Sequence, residues 1–328
     1  GTITRNELMV QKVFVNGKLF EISGKGYDPR GNIIKCPELL LAGKVATFCA
    51  NARISYSEEE KRWHVSGDPT EAALLVFGEK MRFKKDELEK RYPLSQETPF
   101  DYILKYHATV HLVAGKHYLT IVGAPEVILG RTKRIWRNGR SKIFSQGERQ
   151  KIEALISKMS QDGLRILAFA THTSSSHSNP DSSPLVFGGL YAMRDDIRLE
   201  VKDAIAQAQG AGMRVIMITG DHAITAQAVA KEVGIFKEGD DIITGQELEE
   251  LSREALSKRL DNISVFARVA PHHKMNIIQA YKDKGEIIAM TGDGVNDAPS
   301  LVSADLGVSL GVIGTEVAKE AADIVLLD

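Results

Sequence analysis

The chain has 328 residues, 43% hydrophobic and 26% charged, with 42 basic against 43 acidic side chains and a net charge of −1. That composition is globular, with length enough for two cores, and its even charge removes any global electrostatic case for nucleic acid or an anionic membrane surface. Two cysteines, Cys36 and Cys49, exclude a disulfide framework and point to a reducing, cytosolic setting, and no apolar run approaches the roughly 20 residues that cross a bilayer.

Taken in chain order, the opening Gly1-Thr2-Ile3-Thr4-Arg5 is not a signal sequence. Gly24-Lys25-Gly26-Tyr27-Asp28-Pro29-Arg30-Gly31 is a turn-rich loop between strand candidates. Helices are expected at Thr70–Lys80 and Glu148–Ser160 and strands at Tyr118–Val122 and Ile166–Ala170, a mixture that reads as an α+β domain. The polar stretch from Ser174 to Pro184 is closely flanked by apolar runs and is expected to be a mobile loop inside this first domain.

From about Val201 short β-branched runs alternate with helical stretches. Strands are predicted at Arg214–Ile218, Val265–Arg268, Glu286–Met290, Leu306–Leu310 and Ile324–Leu327. Helices fall between them, near Val201–Ala208, Ala223–Val233, His273–Lys284 and Thr315–Ala322. This pattern is that of a parallel sheet covered by helices, where ligands collect at the carboxyl ends of strands.

Three polar clusters follow strands here. Thr291-Gly292-Asp293-Gly294-Val295-Asn296-Asp297-Ala298-Pro299 puts two carboxylates and a carboxamide on a glycine-rich turn. Magnesium takes oxygen ligands with only one or two carboxylates from the protein, and Asp293, Asn296 and Asp297 fit that need. Thr219-Gly220-Asp221 precedes a helix, so the Thr219 hydroxyl and the following amides could hold phosphoryl oxygens, although a helix cap alone also explains them. Lys274 begins a helix, where a lysine can offset phosphate charge or simply be solvated. Three successive junctions with phosphate-suited groups outweigh each one taken singly.

On these motifs the chain resembles the large cytoplasmic loop of a P-type cation-transporting ATPase, whose phosphorylation domain belongs to the haloacid dehalogenase-like superfamily. Gly1-Thr2-Ile3-Thr4 matches the tail of that family's Asp-Lys-Thr-Gly-Thr phosphorylation motif. Thr219-Gly220-Asp221, Lys274 with Ala267–Pro271, Thr291–Pro299 and Gly314–Asp323 match later signatures. The implied fold is α/β: a haloacid dehalogenase-like Rossmannoid parallel sheet over residues 1–7 and 197–328, with an inserted α+β nucleotide-binding domain over 8–196.

In that first domain Gly67-Asp68-Pro69-Thr70-Glu71-Ala72-Ala73-Leu74 matches a signature whose Glu lies near adenine, which the resemblance assigns to Glu71. By residue type alone, Thr70 and Glu71 are explained by a helix start. The resemblance also assigns adenine stacking to Phe100 in Thr98-Pro99-Phe100-Asp101, with Lys105 nearby, whereas an isolated Phe more often packs in a core. Gly123 belongs to the matched string at the nucleotide pocket, and Arg165 in Gly163-Leu164-Arg165 is implied to reach the nucleotide phosphates.

What the resemblance implies for the parent is a pump that binds ATP and Mg2+. ATP would be brought to the nucleophile by closure about hinges near Glu7–Val10 and Asp195–Arg198. Asp293 would hold the metal, Lys274 and Thr219 would stabilise the transferring group, and Asn296 and Asp297 would order the site. The partners are ATP and a transported cation. No nucleic acid is expected, and contact with the membrane would run only through helices outside this sequence. The Gly26–Gly31 string is similar to the calcium and sodium-potassium branch, and calcium is the expected ion.

Three departures stand out. Val122-Gly123-Ala124-Pro125-Glu126 has Val where the family commonly has Lys, a loss of roughly 1.5–3 kcal/mol if that contact mattered. Asp195-Asp196-Ile197-Arg198 replaces a hinge string with two prolines, which removes two fixed backbone angles. The nucleophilic Asp is expected immediately before Gly1, so the chain as given is expected to be an excised loop that does not turn over ATP. A haloacid dehalogenase-like phosphatase with a cap domain and a non-catalytic nucleotide-binding module are the competing readings.

Overall fold

The computed structural model describes residues 2–24, 26–30, 36–58, 61–101, 103–176, 179–311 and 314–327. Gly1, Lys25, Gly31, His177, Ser178 and Asp328 of the sequence reading lie outside the described residues. The chain divides into two compact units, one of Gly1–Arg5, Gln161–Gly163 and Ile197–Asp328, the other of Asn6–Ser160 and Leu164–Asp196. Among the described residues no helix is long and apolar enough to cross a membrane.

The Asn6–Asp196 unit is built on a nine-stranded sheet. Its main path runs Lys18–Glu21, Thr4–Val15, Leu185–Ile197, Arg165–Ser174, Lys116–Gly123, Tyr106–Val113, Leu94–Thr98. Thr132–Arg137 pairs in parallel with Leu185–Ile197, and the pairs from Arg165–Ser174 out to Leu94–Thr98 are antiparallel. Side chains alternate across this sheet with the two-residue period of a strand. Phe169, Tyr191 and Met193 point to a core with the helices Leu39–Phe48 and Pro69–Lys80. Ala168, Ala170, Leu190 and Ala192 point to a second core with Ile128, Ile152 and Met159 of the helices Pro125–Arg131 and Gln146–Gln161. Helices therefore cover both faces, which is why the central strands are apolar on both sides.

The last residues of the long strand Leu185–Ile197 are polar for a local reason. Asp195 Oδ1 accepts from the Glu7 amide at 2.9 Å and Asp196 Oδ1 from Gln11 Nε2 at 3.3 Å. Where two prolines would fix backbone angles, two carboxylates grip the neighbouring strand instead.

The other unit carries its parallel strands in two sets rather than in the one continuous sheet expected. Met217–Ile218, Ile263–Ala267 and Asp241–Thr244 form one, and Ala289–Gly292, Leu306–Leu310 and Ile324–Leu326 the other. The middle strand of the first set is buried throughout. Val265 and Ala267 pack with Ala226, Val229 and Ala230, while Phe266 packs with Leu256, Leu260 and Ile277. Arg214–Ile216 and Glu286–Ile288, expected to be strand, carry no ladder. Of these, Arg214, Ile216, Ile287 and Ile288 border, together with Thr2–Thr4, a cavity of about 290 Å3 between the sets. Without a neighbour on that side their amides have no sheet partner to pair with. Asp241–Thr244 escaped the sequence reading because it offers only two apolar residues.

Candidate functional site

The loop after Ala289–Gly292 is organised by Asp297. This carboxylate, 11% exposed, accepts from the Asp293 and Gly294 amides through Oδ2 at 3.2 and 3.0 Å and from the Lys274 ammonium through Oδ1. Close approach dictates glycine at 292: a Cβ there would lie 2.6 Å from Asp297 Cβ and 3.0 Å from its Cγ. Asp297 has thus committed both oxygens to the loop and to Lys274. The Asp293 carboxylate has not. Half-buried, it meets the Thr2 hydroxyl at 3.3 Å, and its carbonyl accepts from the Thr315 amide at 2.9 Å. One carboxylate with a hydroxyl beside it and open faces suits a hard cation that keeps several waters, so Asp293 fits magnesium and Asp297 does not. Asn296 is exposed on the same turn.

Thr219 ends the first set of strands, its amide donating to Phe266 O at 2.9 Å and its carbonyl accepting from Val269 at 3.0 Å. Thr219 Oγ1 accepts from the Asp221 amide at 3.1 Å, which is a local turn. Gly220 is exposed, and a Cβ there would meet nothing within 4 Å. Thr219, Asp221, Thr291 and Thr2 line the 290 Å3 cavity, and Thr2 is the link, since its hydroxyl also reaches Asp293. The structure therefore gathers Lys274, Asp293 and Asp297 in one network and joins Thr219 and Asp221 to it through the cavity wall.

The helix bearing Lys274 is itself fixed. His273, 5% exposed, accepts from the Ala270 amide through Nδ1 at 3.1 Å, so Nε2 carries the proton it donates to Glu249 at 2.9 Å. Glu249, His272 and His273 bring ligand-type atoms within 4.8 Å of one another. The Nδ1 bond to backbone leaves Nε2 protonated and unavailable to a metal.

In the other unit four of the five nucleotide candidates share one end of the sheet. Gly123 pairs with Tyr106 and Ala168, so Lys105, just before Tyr106, and Arg165, three residues before Ala168, lie at that end, as does Phe100 after Leu94–Thr98. Phe100 is 47% exposed, against the core packing its type suggests, and Arg165 is exposed. Lys105 sits in the left-handed region at φ 57° and its ammonium lies 3.6 Å from Glu126. Gly123 is required by approach of backbone: a Cβ would lie 2.5 Å from Lys105 O and 2.8 Å from Tyr106 Cα. Val122, paired with His107 and Phe169, is 3% exposed and belongs to the core.

Glu71 joins this end through groups the sequence reading passed over. The cap of its helix is Asp68, whose Oδ1 accepts from the Thr70 and Glu71 amides at 2.8 and 3.3 Å, so the Glu71 side chain is not needed there. Glu71 Oε2 accepts from the Asn51 amide at 2.9 Å, and Oε1 lies 3.0 Å from His107 Nδ1, short of the angle of a directed hydrogen bond. His107 Nε2 lies 3.0 Å from Glu97 Oε1, which the Asn51 side-chain amide also meets. Burial alone would raise the Glu71 carboxyl; His107 and the Asn51 amide outweigh it and hold the group below the usual range. A larger cavity of about 780 Å3 lies beside this cluster, but it shares only Asn51 with it and is walled by interleaved Lys and Glu. The only signal for His107 in the sequence is its place two residues after Lys105.

Residues 38–200 match the family model described as P-type ATPase, cytoplasmic domain N. The whole chain aligns at 37% identity with the calcium-transporting ATPase of Bacillus subtilis, covering 38% of it. It aligns over its full length at 41% with calcium-transporting ATPase 1 of Bacillus cereus, covering 36%, and at 38% with cation-transporting ATPase pma1 of Synechocystis, covering 38%. The chain spans little more than a third of the length of these relatives.

Proposed function

The chain belongs to the P-type cation-transporting ATPases, and from that premise we propose that it is the catalytic cytoplasmic portion of an ATP-driven pump at the cytoplasmic face of a membrane. It binds ATP and supports phosphoryl transfer to an aspartate of an Asp-Lys-Thr-Gly-Thr motif whose tail is Gly1-Thr2. The names of the Bacillus relatives favour calcium as the ion. The unit of Ile197–Asp328, with its parallel strands, is the haloacid dehalogenase-like phosphorylation domain, and the Asn6–Asp196 unit is its nucleotide-binding insert.

The observation that carries this reading is the Lys274–Asp297–loop network. It fixes an ammonium at a strand end, where its remaining donors would neutralise charge on a phosphoryl group, while the Asp293 and Gly294 amides hold Asp297, and so Lys274, in place. Thr219 and the Gly220 and Asp221 amides offer further donors to phosphoryl oxygens once the Thr219 turn opens. Asp297 positions Lys274 and Asp293, and Asn296 lies on the same turn for an outer role. Asp293 would hold magnesium, which when bound supplies neutralising charge to the phosphoryl oxygens. In the other unit, exposed Phe100 offers a stacking face, Glu71 an acceptor, Arg165 a guanidinium for phosphate, and Lys105 and Gly123 the turn beside them.

An ATP titration followed by nuclear magnetic resonance tests the reading. The signals of Phe100 and Arg165 shift with ATP; no change at millimolar ATP overturns the nucleotide assignment.

A further inference from the structure

The Glu71–His107–Glu97 cluster is built of buried charge. His107 is 5% exposed, Glu71 17% and Glu97 24%, and carboxylate oxygens lie 3.0 Å from both ring nitrogens. Even a fully protonated imidazole leaves the three groups with one net negative charge. Two donors come from Asn51: its amide on Glu71 and its side chain on Glu97. Each carboxylate has about four lone-pair sites, so acceptor capacity remains on the exposed edges of Glu71 and Glu97. Such a surface takes a neutral or cationic N–H donor and turns away phosphate and carbonyl oxygen.

We propose that His107, held between Glu71 and Glu97, is a positioning residue that aims the Glu71 carboxylate at the exocyclic amine of a 6-aminopurine nucleotide and so sets base selectivity. This rests on the nucleotide-binding reading given above. Adenine presents an amine at position 6 where guanine presents a carbonyl oxygen. A fixed carboxylate therefore favours the first and repels the second. His107 acts through Glu71 and does not itself meet the base. The Pro69–Lys80 helix carries Glu71, and the antiparallel strands Leu94–Thr98 and Tyr106–Val113 carry Glu97 and His107, so three elements fix the geometry.

The test measures dissociation constants of ATP, GTP and purine riboside triphosphate, which lacks the amine, by calorimetry on the 328-residue chain. The unaltered chain is expected to bind ATP about tenfold more tightly than either analogue. His107→Phe should weaken ATP about tenfold and leave purine riboside triphosphate within about twofold, while His107→Gln, which keeps a donor, should restore ATP to within about threefold. Equal weakening of both nucleotides by His107→Phe makes His107 merely structural and overturns the proposal, as does an unchanged ATP constant. If tryptophan fluorescence shows that His107→Phe is unfolded, Glu97→Gln decides: ATP weakened with the amine-free analogue unmoved supports positioning, and no difference between the two overturns it. Binding of neither nucleotide by the unaltered chain would instead defeat the nucleotide reading, and this proposal with it.

Discussion

The Lys274–Asp297 pair allows a quantitative prediction. Its side chains are 17% and 11% exposed, so the pair is largely out of water. Asp297→Ala leaves the ammonium unpaired and removes the acceptor of the Asp293 and Gly294 amides. Removing one partner of a buried pair costs about 3–5 kcal/mol. Lys274→Met is milder, about 1–3 kcal/mol, because Asp297 keeps both amide donors. The double variant should be less destabilised than the sum, with a coupling energy of about 1–3 kcal/mol. Both tryptophans, Trp63 and Trp136, belong to the other unit, so fluorescence is blind to this pair. A chain of two units is also not a single two-state transition. Amide exchange in Ile263–Ala267 and Pro271–Asp283 reads the right unit. A coupling below about 0.5 kcal/mol, the additivity expected of independent sites, would refute the reasoning.

Other substitutions probe the rest. Gly123→Ala drives a Cβ to 2.5 Å from Lys105 O and 2.8 Å from Tyr106 Cα. Backbone cannot yield as a side chain can, so a loss of at least about 1–3 kcal/mol is expected in urea unfolding followed by fluorescence, together with loss of the ATP response. His111 is stacked on Phe48 at 4.0 Å, and burial followed by nearby Lys85 and Lys44 pushes its imidazole down to about 4. The folded value lies below the unfolded one, so the stability it contributes is complete above about pH 6.5 and is lost as pH falls toward 4, about 3 kcal/mol in all. His111→Phe should flatten that slope between pH 7 and 4.5 in urea midpoints; parallel slopes would refute it. Magnesium at ten times its dissociation constant should stabilise the Ile197–Asp328 unit by about 1.4 kcal/mol. Asp293→Asn should abolish that increment, and an undiminished one would remove Asp293 from the metal.

What was legible in the sequence was mostly local. Leu306–Leu310 was read to the residue because five alternating residues between turn signals leave one choice, and the Thr70–Lys80 helix differs by one residue. The β-branched run Arg214–Ile218 is longer than the strand Met217–Ile218 because β-branched character cannot reveal whether a neighbouring strand exists to pair with. The carboxylates of Thr291–Pro299 were visible as a group, but not their division of labour. Only the fold shows that Lys274, 23 residues earlier, occupies Asp297 and leaves Asp293 open.

Glu71 shows the same limit. At a helix start its sequence position has a sufficient local explanation, and that explanation is satisfied by Asp68 instead. A carboxylate relieved of capping, largely buried and pointed at an imidazole 36 residues away has a geometry that capping does not require. Holding it there costs desolvation, which the Asn51 amide and His107 offset. Local rules account for where the chain turns; the buried charges that those rules leave unexplained are where function is to be sought.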